Sequence, residues 1–385
     1  MKRSPIRVLF IVPTLSVGGA ERIITKLLPA MDPNRFQVSL VCTGDEGELF
    51  DHLTASGIDA TALRAGGKRN ALKAFSRLSA YLRAARPDVV VLSGNGTTLV
   101  GRLAGVMTKV QHQIVWVHES LDTDGGSRLR GLADRALIPF TDTFLGVADS
   151  QLRFMSTTRK YPTARIRIIR SGVDVKDFVG VDGVDLAEEL RASPDTPTVA
   201  MVARLHPVKD HDTFLSAARI VLQTLPETRF LIIGDGPERT RLENLSRRMG
   251  IEKSVHFAGT RPDIDRLLPG IDIHVLSSHS ESLPLAVLEG MACGRPVICT
   301  DVGGTREIIE HGVSGYLVPP QDPARLANHL TTLLTDPVLA GQMGAAGRSR
   351  VESEYSLEAS VAETERFLEQ LVRRSGQGAD QPTWT

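Results

Sequence analysis

Two acidic residues, Glu281 and Glu289, stand eight positions apart in the stretch HSESLPLAVLE. The apolar run 271–276 before them predicts a buried parallel strand, and the apolar residues after Pro284 predict a helix. In parallel α/β sheets, ligands bind where a strand ends and a helix begins, because free N–H groups and the helix dipole attract anions there. Carboxylates would repel a phosphate, so we interpret this pair as acceptors for the hydroxyls of a sugar nucleotide. The alternative is that both acids are solvated surface residues.

Two cations, Arg204 and Lys209, follow the predicted strand 198–203 and precede the predicted helix 212–222. A guanidinium can bind a phosphate through two parallel hydrogen bonds, whereas an ammonium acts as a point charge. Since both cations flank one loop, they can converge on the same diphosphate. The alternative is a pair of solvated loop cations. We expect them to stabilise a departing diphosphate, which preorganised charge can do without a metal.

Strand-like and helix-like segments alternate in both halves of the 385-residue chain, which predicts two doubly wound α/β domains. The first predicted domain spans residues 1–176, and the polar, proline-containing segment 177–197 is the predicted hinge. The second domain spans residues 198–355. A helix at 356–374 is predicted to return to the first domain, and the tail 375–385 is predicted to be disordered.

Three local predictions concern the first domain. After the apolar strand 88–92, the stretch SGNGTT predicts a loop at 93–98. Residues 149–161 predict a helix. The strand 113–117 ends in His118, whose position at the carboxyl edge makes it a candidate hydrogen-bond donor to a sugar hydroxyl. The alternative is a structural histidine.

The three segments with the most specific patterns are ESLPLAVLEGMACGRPVI, IRSGVDVKDF and ARLHPVKD. The first resembles the E-x7-E signature of family 4 retaining glycosyltransferases (glycosyl transferases group 1), which have the GT-B fold. The second resembles their N-G-V-D-x-x-x-F segment, with Ser171 in place of the asparagine. The third resembles their G-R-L…K-G segment, with Ala203 and Asp210 in place of the two glycines. The resemblance covers most of the chain and is stronger over 198–320 than over 1–180.

The resemblance implies an α/β architecture of two facing Rossmann-like, doubly wound parallel sheets with an interdomain cleft. It implies retaining transfer of a sugar from a UDP-, GDP- or ADP-sugar to a saccharide, lipid-linked or small-molecule acceptor, with no metal and no cofactor. Arg204 and Lys209 would act on the diphosphate, and Glu281 on the sugar hydroxyls. Glu289 would bind the ribose, and His118 the donor sugar from the facing domain. Arg204, Lys209, Glu281 and His118 are therefore the predicted catalytic residues.

The resemblance and the loop positions together predict further residues that bind the nucleotide-sugar. Besides Glu289, they are Gly18, Gly19, Gly234, Thr260, Arg261, Ser282, Leu283, Pro284 and Leu285. The glycines allow close approach of the backbone to a phosphate, although Gly18 and Gly19 could also serve only to pack a helix start. Residues 283–285 begin a helix whose N–H groups face the ligand, except at Pro284.

Two other functions fit the same fold. A nucleotide-sugar 2-epimerase needs acid and base residues around C2 of the sugar, and the sequence does not identify them. A catalytically silent nucleotide-sugar-binding protein needs no leaving-group chemistry. The four charged residues Arg204, Lys209, Glu281 and Glu289 therefore argue against a silent protein.

The net formal charge is zero, but residues 1–180 hold 25 Lys and Arg against 16 Asp and Glu, and residues 181–385 hold 20 against 29. In the segment 64–86, seven residues are basic and none is acidic. This segment predicts either a basic amphipathic helix that contacts an anionic membrane or a crossover helix with solvated charges. The basic surplus lacks interleaved aromatic residues, so nucleic acid is not an expected partner.

We expect a cytoplasmic protein, with a peripheral position at the inner membrane face if the basic segment binds lipid. No segment approaches the roughly 20 apolar residues of a membrane span, and the three cysteines show no metal-ligand spacing. The N-terminus resembles a secretory signal, but Arg7 and Pro13 interrupt the apolar run, so a first strand at 6–12 is the favoured interpretation. Asp122 and Asp124 imitate a D-x-D metal motif, which we interpret as coincidence because no further ligands accompany it.

Overall fold

The computed structural model describes residues 4–66, 70–118, 128–178, 183, 184, 186, 190 and 192–375. The chain divides into unit 1, residues Met1–Ser171 and Leu357–Thr385, and unit 2, residues Gly172–Ser356. The Asp122–Asp124 motif, nine of the 21 residues of the predicted hinge and the predicted disordered tail beyond residue 375 lie outside the described residues.

The strands and helices alternate along the chain as the sequence pattern predicts. The strands are β1 (Ile6–Val12), β2 (Phe36–Cys42), β3 (Asp59–Ala62), β4 (Val89–Ser93), β5 (His112–Trp116), β6 (Thr143–Gly146), β7 (Ile166–Ile168), β8 (Thr198–Val202), β9 (Arg229–Ile233), β10 (Val255–Gly259), β11 (Ile273–Leu276), β12 (Val297–Thr300) and β13 (Tyr316–Val318). The helices are α1 (Gly19–Ala30), α2 (Phe50–Ala55), α3 (Ala71–Ala85), α4 (Asn95–Thr108), α5 (Arg128–Ala136), α6 (Gln151–Arg153), α7 (His211–Val221), α8 (Arg239–Arg248), α9 (Ile264–Leu267), α10 (Leu285–Ala292), α11 (Thr305–Ile308), α12 (Pro323–Thr335), α13 (Pro337–Glu354) and α14 (Leu357–Ser375).

Unit 1 is built on a parallel sheet with the strand order β3-β2-β1-β4-β5-β6-β7. Leu9 and Ile11 of β1 face a core that they share with Leu78 of α3 and Ala104 of α4, whereas Phe10 faces α14. Because side chains of a strand alternate between its faces, a continuous apolar run such as β1 can bury both sides of the sheet. The strand order reverses between β1 and β4, which defines the ligand-binding edge expected of this topology.

Unit 2 is built on a second parallel sheet with the order β10-β9-β8-β11-β12-β13. The central strand β8 pairs with β9 on one side and with β11 on the other, so this order reverses between β8 and β11. Apolar side chains of β8, β9, β11 and β12 are buried. Both sheets are therefore doubly wound and Rossmann-like, as the sequence predicts.

The C-terminal helix α14 belongs to unit 1, where it packs on α1. Glu365 Oε1 accepts a hydrogen bond from the Asp32 N–H at 2.7 Å, and Glu365 and Glu369 form ion pairs of 2.5 and 2.8 Å with Arg35. One guanidinium thus ties two turns of α14 to the loop before β2. Among the described residues, no helix is both long and apolar enough to cross a bilayer.

One local prediction for unit 1 is wrong, and another is confirmed only in part. The predicted loop 93–98 is largely helical, because α4 begins at Asn95 directly after Gly94, whose φ of +83° makes the turn. The predicted helix 149–161 is regular only over α6 and continues as a π-helical turn, Phe154–Thr158. Strand β3 and helix α2 were not predicted from the sequence, because both are short and bury few side chains, so their apolar periodicity is weak.

Candidate active site

The loops that follow β8 and β11 meet at the point where the strand order of unit 2 reverses. Lys209, in the first loop, and Glu281, in the second, form an ion pair of 2.6 Å between Nζ and Oε1. The Glu281 side chain is 9% exposed and the Lys209 side chain 24% exposed. Partial shielding from water strengthens their attraction. Neither Lys209 nor Glu281 is therefore a solvated loop charge of the kind that the alternative interpretations describe.

Further hydrogen bonds hold these two loops together. Ser277 Oγ donates toward the carbonyl oxygens of Lys209 and Asp210, at 3.2 and 2.8 Å. The His279 N–H donates to the carbonyl of Val208 at 2.8 Å. The backbone of the Lys209 loop is thus fixed to the Glu281 loop, and the Lys209 ammonium is oriented by its ion pair with Glu281.

Asp210 stands where the resembled family has a glycine, and its backbone is left-handed, with φ +49° and ψ +53°. Its carboxylate caps α7, because Oδ1 accepts from the Thr213 N–H at 3.3 Å and Oδ2 from the Thr213 hydroxyl at 2.6 Å. A left-handed non-glycine residue costs about 1–2 kcal/mol and an N-cap contributes about 1 kcal/mol, so the two effects partly offset each other. The Asp210 carboxylate is therefore used as the N-cap of α7, and Lys209 pairs with Glu281 instead.

Two glycines let neighbouring loops of this edge approach each other. Gly234, after β9, has φ +138°, and a Cβ there would overlap the carbonyl of Ala203. Gly303, after β12, has φ +51°, and a Cβ there would overlap the carbonyl of Glu281. The loops after β8, β9, β11 and β12 are thus packed backbone to backbone, which only glycine permits at these positions.

Arg204, the other predicted cation, differs from Lys209 in its contacts. Its side chain is exposed, and within the described ranges its guanidinium has no hydrogen-bond or ion-pair partner. Arg261 differs, because its guanidinium binds the Asp263 carboxylate through two bonds of 2.8 Å. Thr260, beside it, is exposed at the end of β10. The predicted nucleotide contacts of Thr260 and Arg261 stay predictions, and for Arg261 a ligand must compete with a bidentate ion pair.

The amino end of α10 follows the Glu281 loop. Pro284 is the N-cap residue, one position before the predicted first turn, and the helix begins at Leu285. An N-cap N–H lies outside the intrahelical bonds, so proline loses nothing there, and the N–H groups of the first turn remain available. Ser282 is partly exposed, whereas Leu283 is buried, so only its backbone is suited to a ligand contact. Glu289 lies in the second turn of α10 and is 7% exposed, which is inconsistent with a solvated helix residue.

In unit 1, Gly18 is the N-cap of α1 and has extended backbone, with φ −161°. A Cβ at Gly18 would meet the Glu21 carboxylate, whereas a Cβ at Gly19 would meet no described atom within 4 Å. His118 follows β5, and its ring packs against Trp116 in a tilted arrangement, with centroids 4.5 Å apart and planes at 44°. Burial lowers the pKa of His118 to about 4, so its imidazole is neutral near pH 7. The predicted ligand contacts of these three residues stay predictions.

Ser278 and Gly303 also lie at this edge of unit 2, and neither was predicted from the sequence to be a site residue. Ser278 precedes Glu281 by three residues, and its hydroxyl donates to Glu281 Oε1 at 2.6 Å. Gly303 follows the next strand in a Gly-Gly pair. The spacing from Glu281 is the signal that could have identified Ser278. Across the part of the chain that the structure describes, no group of three or more His, Cys, Asp and Glu could hold a metal ion.

Comparison with known proteins supports the same family. The glycosyl transferase 4-like domain matches residues 18–172, and the glycosyl transferases group 1 domain matches residues 185–350. A Haemophilus influenzae protein described as an uncharacterised glycosyltransferase is 25% identical over 362 residues, which cover 93% of this chain and 98% of that protein. The N-acetyl-alpha-D-glucosaminyl L-malate synthase of Bacillus anthracis is 31% identical over 218 residues, which cover 56% of this chain and 57% of that protein.

The crystal structure of Anabaena HepE in complex with UDP-glucose has the same fold, with a TM-score of 0.83, 19% identity, and coverage of 95% of this chain and 100% of that chain. The two matched domains together span both units. The chain is therefore an enzyme that transfers a sugar, and it belongs to the glycosyl transferases group 1 family, with a glycosyl transferase 4-like domain in its first half.

Proposed function

We propose that this enzyme transfers a hexosyl unit from a nucleotide diphospho-sugar to an acceptor hydroxyl, with retention of the anomeric configuration and without a metal ion. The proposal rests on the charged side chains at the carboxyl edge of the unit 2 sheet. There an unengaged guanidinium, Arg204, lies on the same loop as the Lys209 ammonium, and that ammonium meets Glu281 just before the amino end of α10. The UDP-glucose complex of HepE, a protein of the same fold, supports this donor class.

Arg204 and Lys209 would act on the leaving group. As the bond between the anomeric carbon and the diphosphate oxygen breaks, negative charge grows on the diphosphate. The two cations and the N–H groups at the start of α10 stabilise that charge. This is the task that a divalent metal performs in other transferases, so the cations make a metal unnecessary.

Retention would follow from attack on the face that the diphosphate leaves. The acceptor oxygen bonds to the anomeric carbon, and its proton passes to the departing phosphate oxygen, so charge and protons balance without a protein base. Glu281 as a covalent nucleophile is the less favoured route. Its Oε1 already accepts from Lys209 Nζ and Ser278 Oγ, each at 2.6 Å, and such bonds reduce the nucleophilicity of a carboxylate.

A donor screen tests this function. UDP-, GDP- and ADP-glucose are added at equal concentrations, and the unfolding transition is followed by differential scanning fluorimetry. A donor at 100 times its Kd is expected to add about 2.7 kcal/mol of stability. Hydrolysis of the preferred donor without an acceptor distinguishes an enzyme from a silent binding protein. No stabilisation by any of the three donors would contradict the proposed donor class.

The stereochemistry and the metal requirement have their own readouts. With the preferred donor and an accepted hydroxyl compound, proton NMR of the product reports the anomeric configuration. We expect the configuration of the donor to be kept and turnover to continue in excess EDTA. An inverted product would overturn retention, and loss of turnover in EDTA would overturn metal independence.

We further propose that the outer face of α3 and α4 contacts an anionic membrane. Residues 60–118 contain nine Lys or Arg and one acid, Asp88, which is neutralised by Arg7 through contacts of 2.7 and 3.2 Å. The cations of this basic face with described side chains are Lys73, Arg77, Arg83, Arg86 and Lys109. None of them forms an ion pair with a described residue. The face therefore offers unpaired positive charge to an anionic surface.

The same face exposes large apolar side chains. Leu72 at the start of α3 is 86% exposed, and Leu103 and Met107, one turn apart on α4, are 47% and 60% exposed. The opposite side of α3 packs into the core through Leu78 and Leu82, so the predicted crossover helix and the predicted membrane helix are the same element. Apolar side chains beside cations are the composition of an interfacial membrane contact. Such a contact would place the enzyme beside a lipid-linked acceptor.

Vesicle flotation tests the membrane contact. The wild-type chain is expected to float with vesicles containing phosphatidylglycerol and not with pure phosphatidylcholine, and 0.5 M salt should release it. The triple variant K73E/R77E/R83E is expected to bind about 100-fold more weakly, because each cation contributes about 1 kcal/mol near an anionic surface. The control R219E/R248E/K253E reverses three exposed charges of unit 2 and should float as wild type does. Equal flotation of both triple variants would contradict the proposed face.

A further inference from the structure

The two oxygens of the Glu281 carboxylate are in different situations. Oε1 accepts hydrogen bonds from Lys209 Nζ and from Ser278 Oγ, both at 2.6 Å. Oε2 has no hydrogen-bond or ion-pair partner among the residues that the structure describes. Each carboxylate oxygen has two lone-pair directions, so Oε1 is fully used by the protein. Oε2 is left as the oxygen that can accept from a ligand.

The Ser278 hydroxyl is itself held in place. Ser278 has no solvent exposure, and its carbonyl accepts from Thr300 Oγ1, at the end of β12, at 2.6 Å. Thr300 is also buried. Ser278 is therefore fixed from the neighbouring strand, and its single O–H donor is spent on Glu281. A short, buried serine side chain has few other rotamers, so it fixes the direction of the hydrogen bond to Glu281.

Lys209 alone is poorly suited to fix this carboxylate during turnover. In the proposed function, its ammonium is also drawn to the diphosphate, so two anions compete for one cation. An ammonium on a flexible four-carbon stem can shift between them. When the ammonium moves to the diphosphate, Glu281 loses one of its two hydrogen bonds. Because the hydroxyl of Ser278 is neutral, the diphosphate does not attract it in the same way, and its hydrogen bond to Glu281 persists.

We propose that Ser278 is a positioning residue for Glu281. Its hydroxyl fixes Oε1 so that Oε2 keeps facing the sugar of the donor while Lys209 shares its charge with the diphosphate. This inference rests on the proposed function of the same site. It assigns Ser278 an effect on the sugar-dependent step and none on binding of the nucleotide alone.

A double-mutant cycle tests the inference. S278A is expected to lower kcat about 10-fold with UDP-glucose, or with the preferred donor of the screen, and to leave the Kd for the free nucleoside diphosphate within about 2-fold of wild type. In the E281Q background, the same S278A change should alter kcat by less than about 2-fold, because its effect passes through the Glu281 carboxylate. S280A, a serine of the same loop without a hydrogen bond to a described residue, is the matched control and should behave as wild type.

A second variant guards against a folding defect. S278C retains the packing volume but has only a weak donor, so it should lose about as much kcat as S278A. Wild-type kcat in S278A, or an equal loss of kcat in the E281Q background, would overturn the positioning role. Weaker binding of the nucleoside diphosphate in both S278A and S278C would also overturn it, since that result indicates a general structural role. Failure of the proposed function is distinct, because the wild-type chain itself would then show no donor turnover.

Discussion

Arg204→Ala is expected to lower kcat about 100-fold, because removal of one group that stabilises the charge on a leaving group typically costs about 3 kcal/mol of transition-state stabilisation. The unfolding free energy should stay within about 0.5 kcal/mol of wild type, as for other surface substitutions. The structural reason is that the Arg204 side chain is exposed and has no partner in the described ranges, so folding does not depend on it. Steady-state kinetics and chemical denaturation of the same preparation measure both quantities.

Arg219→Ala provides the control, because Arg219 is an exposed arginine of α7 in the same unit and likewise has no described partner. It should turn over as wild type does. Arg204→Ala with wild-type kcat would remove Arg204 from the mechanism. Lys209 is less suited to this test, because its loss leaves the Glu281 carboxylate, only 9% exposed, without its cation. A fall in activity would then be mixed with a fall in stability.

Acidification is expected to destabilise unit 2 through two buried histidines. His274, in β11, has no solvent exposure, and neither ring nitrogen has a hydrogen-bond partner among the described residues. Burial lowers the pKa of His274 to about 4, and burial together with the Lys209 charge lowers the pKa of His211 to about 4. The unfolded chain protonates both near pH 6.5, so from pH 6.5 down to 4 it binds more protons than the folded unit. Stability therefore falls as the pH falls, by about 2 kcal/mol per histidine at pH 5 relative to pH 7.

His274→Leu should remove about half of this pH dependence and should stabilise unit 2 at pH 5. Denaturation with urea at pH 5, 6 and 7 is the measurement, with hydrogen exchange of peptides from β11 and α10 reporting the unfolding of unit 2. The control is Ile298→Leu, a volume-conserving change in buried β12 that removes no titratable group and should keep the wild-type slope. A wild-type pH slope in His274→Leu would show that this imidazole does not titrate as burial requires.

Much of the fold could be predicted from local sequence. The bounds of β1 agree with the predicted strand 6–12, because a buried central strand is rich in apolar residues. The predicted loop at 93–98 failed because glycine and threonine are poor helix formers by propensity, yet α4 begins there, packed on β4. Ser171 illustrates another limit: it stands where the resembled family has an asparagine, and its hydroxyl is buried without a described partner.

The candidate site was predicted only in part, since residue type and position at strand ends are local properties but partners are not. Arg204 and Arg261 are both arginines after strands, yet the first is unengaged and the second is bound by Asp263, two residues away. Glu281 and Glu289 were expected to contact sugars. Their low exposure could not be read from a polar loop and an amphipathic helix, because burial depends on how neighbouring loops pack.

By itself, the sequence determined that the chain has two α/β halves of doubly wound type and that its charged residues of interest stand at strand ends. It could do so because apolar period, strand length and loop position are properties of contiguous residues. Only the tertiary structure decided that Lys209 pairs with Glu281, 72 residues away, rather than with the adjacent Asp210. Only it decided that Ser278 shares the same carboxylate oxygen. Those choices depend on the order of strands in the sheet and on the directions of side chains around its reversal point, which no contiguous stretch of sequence contains.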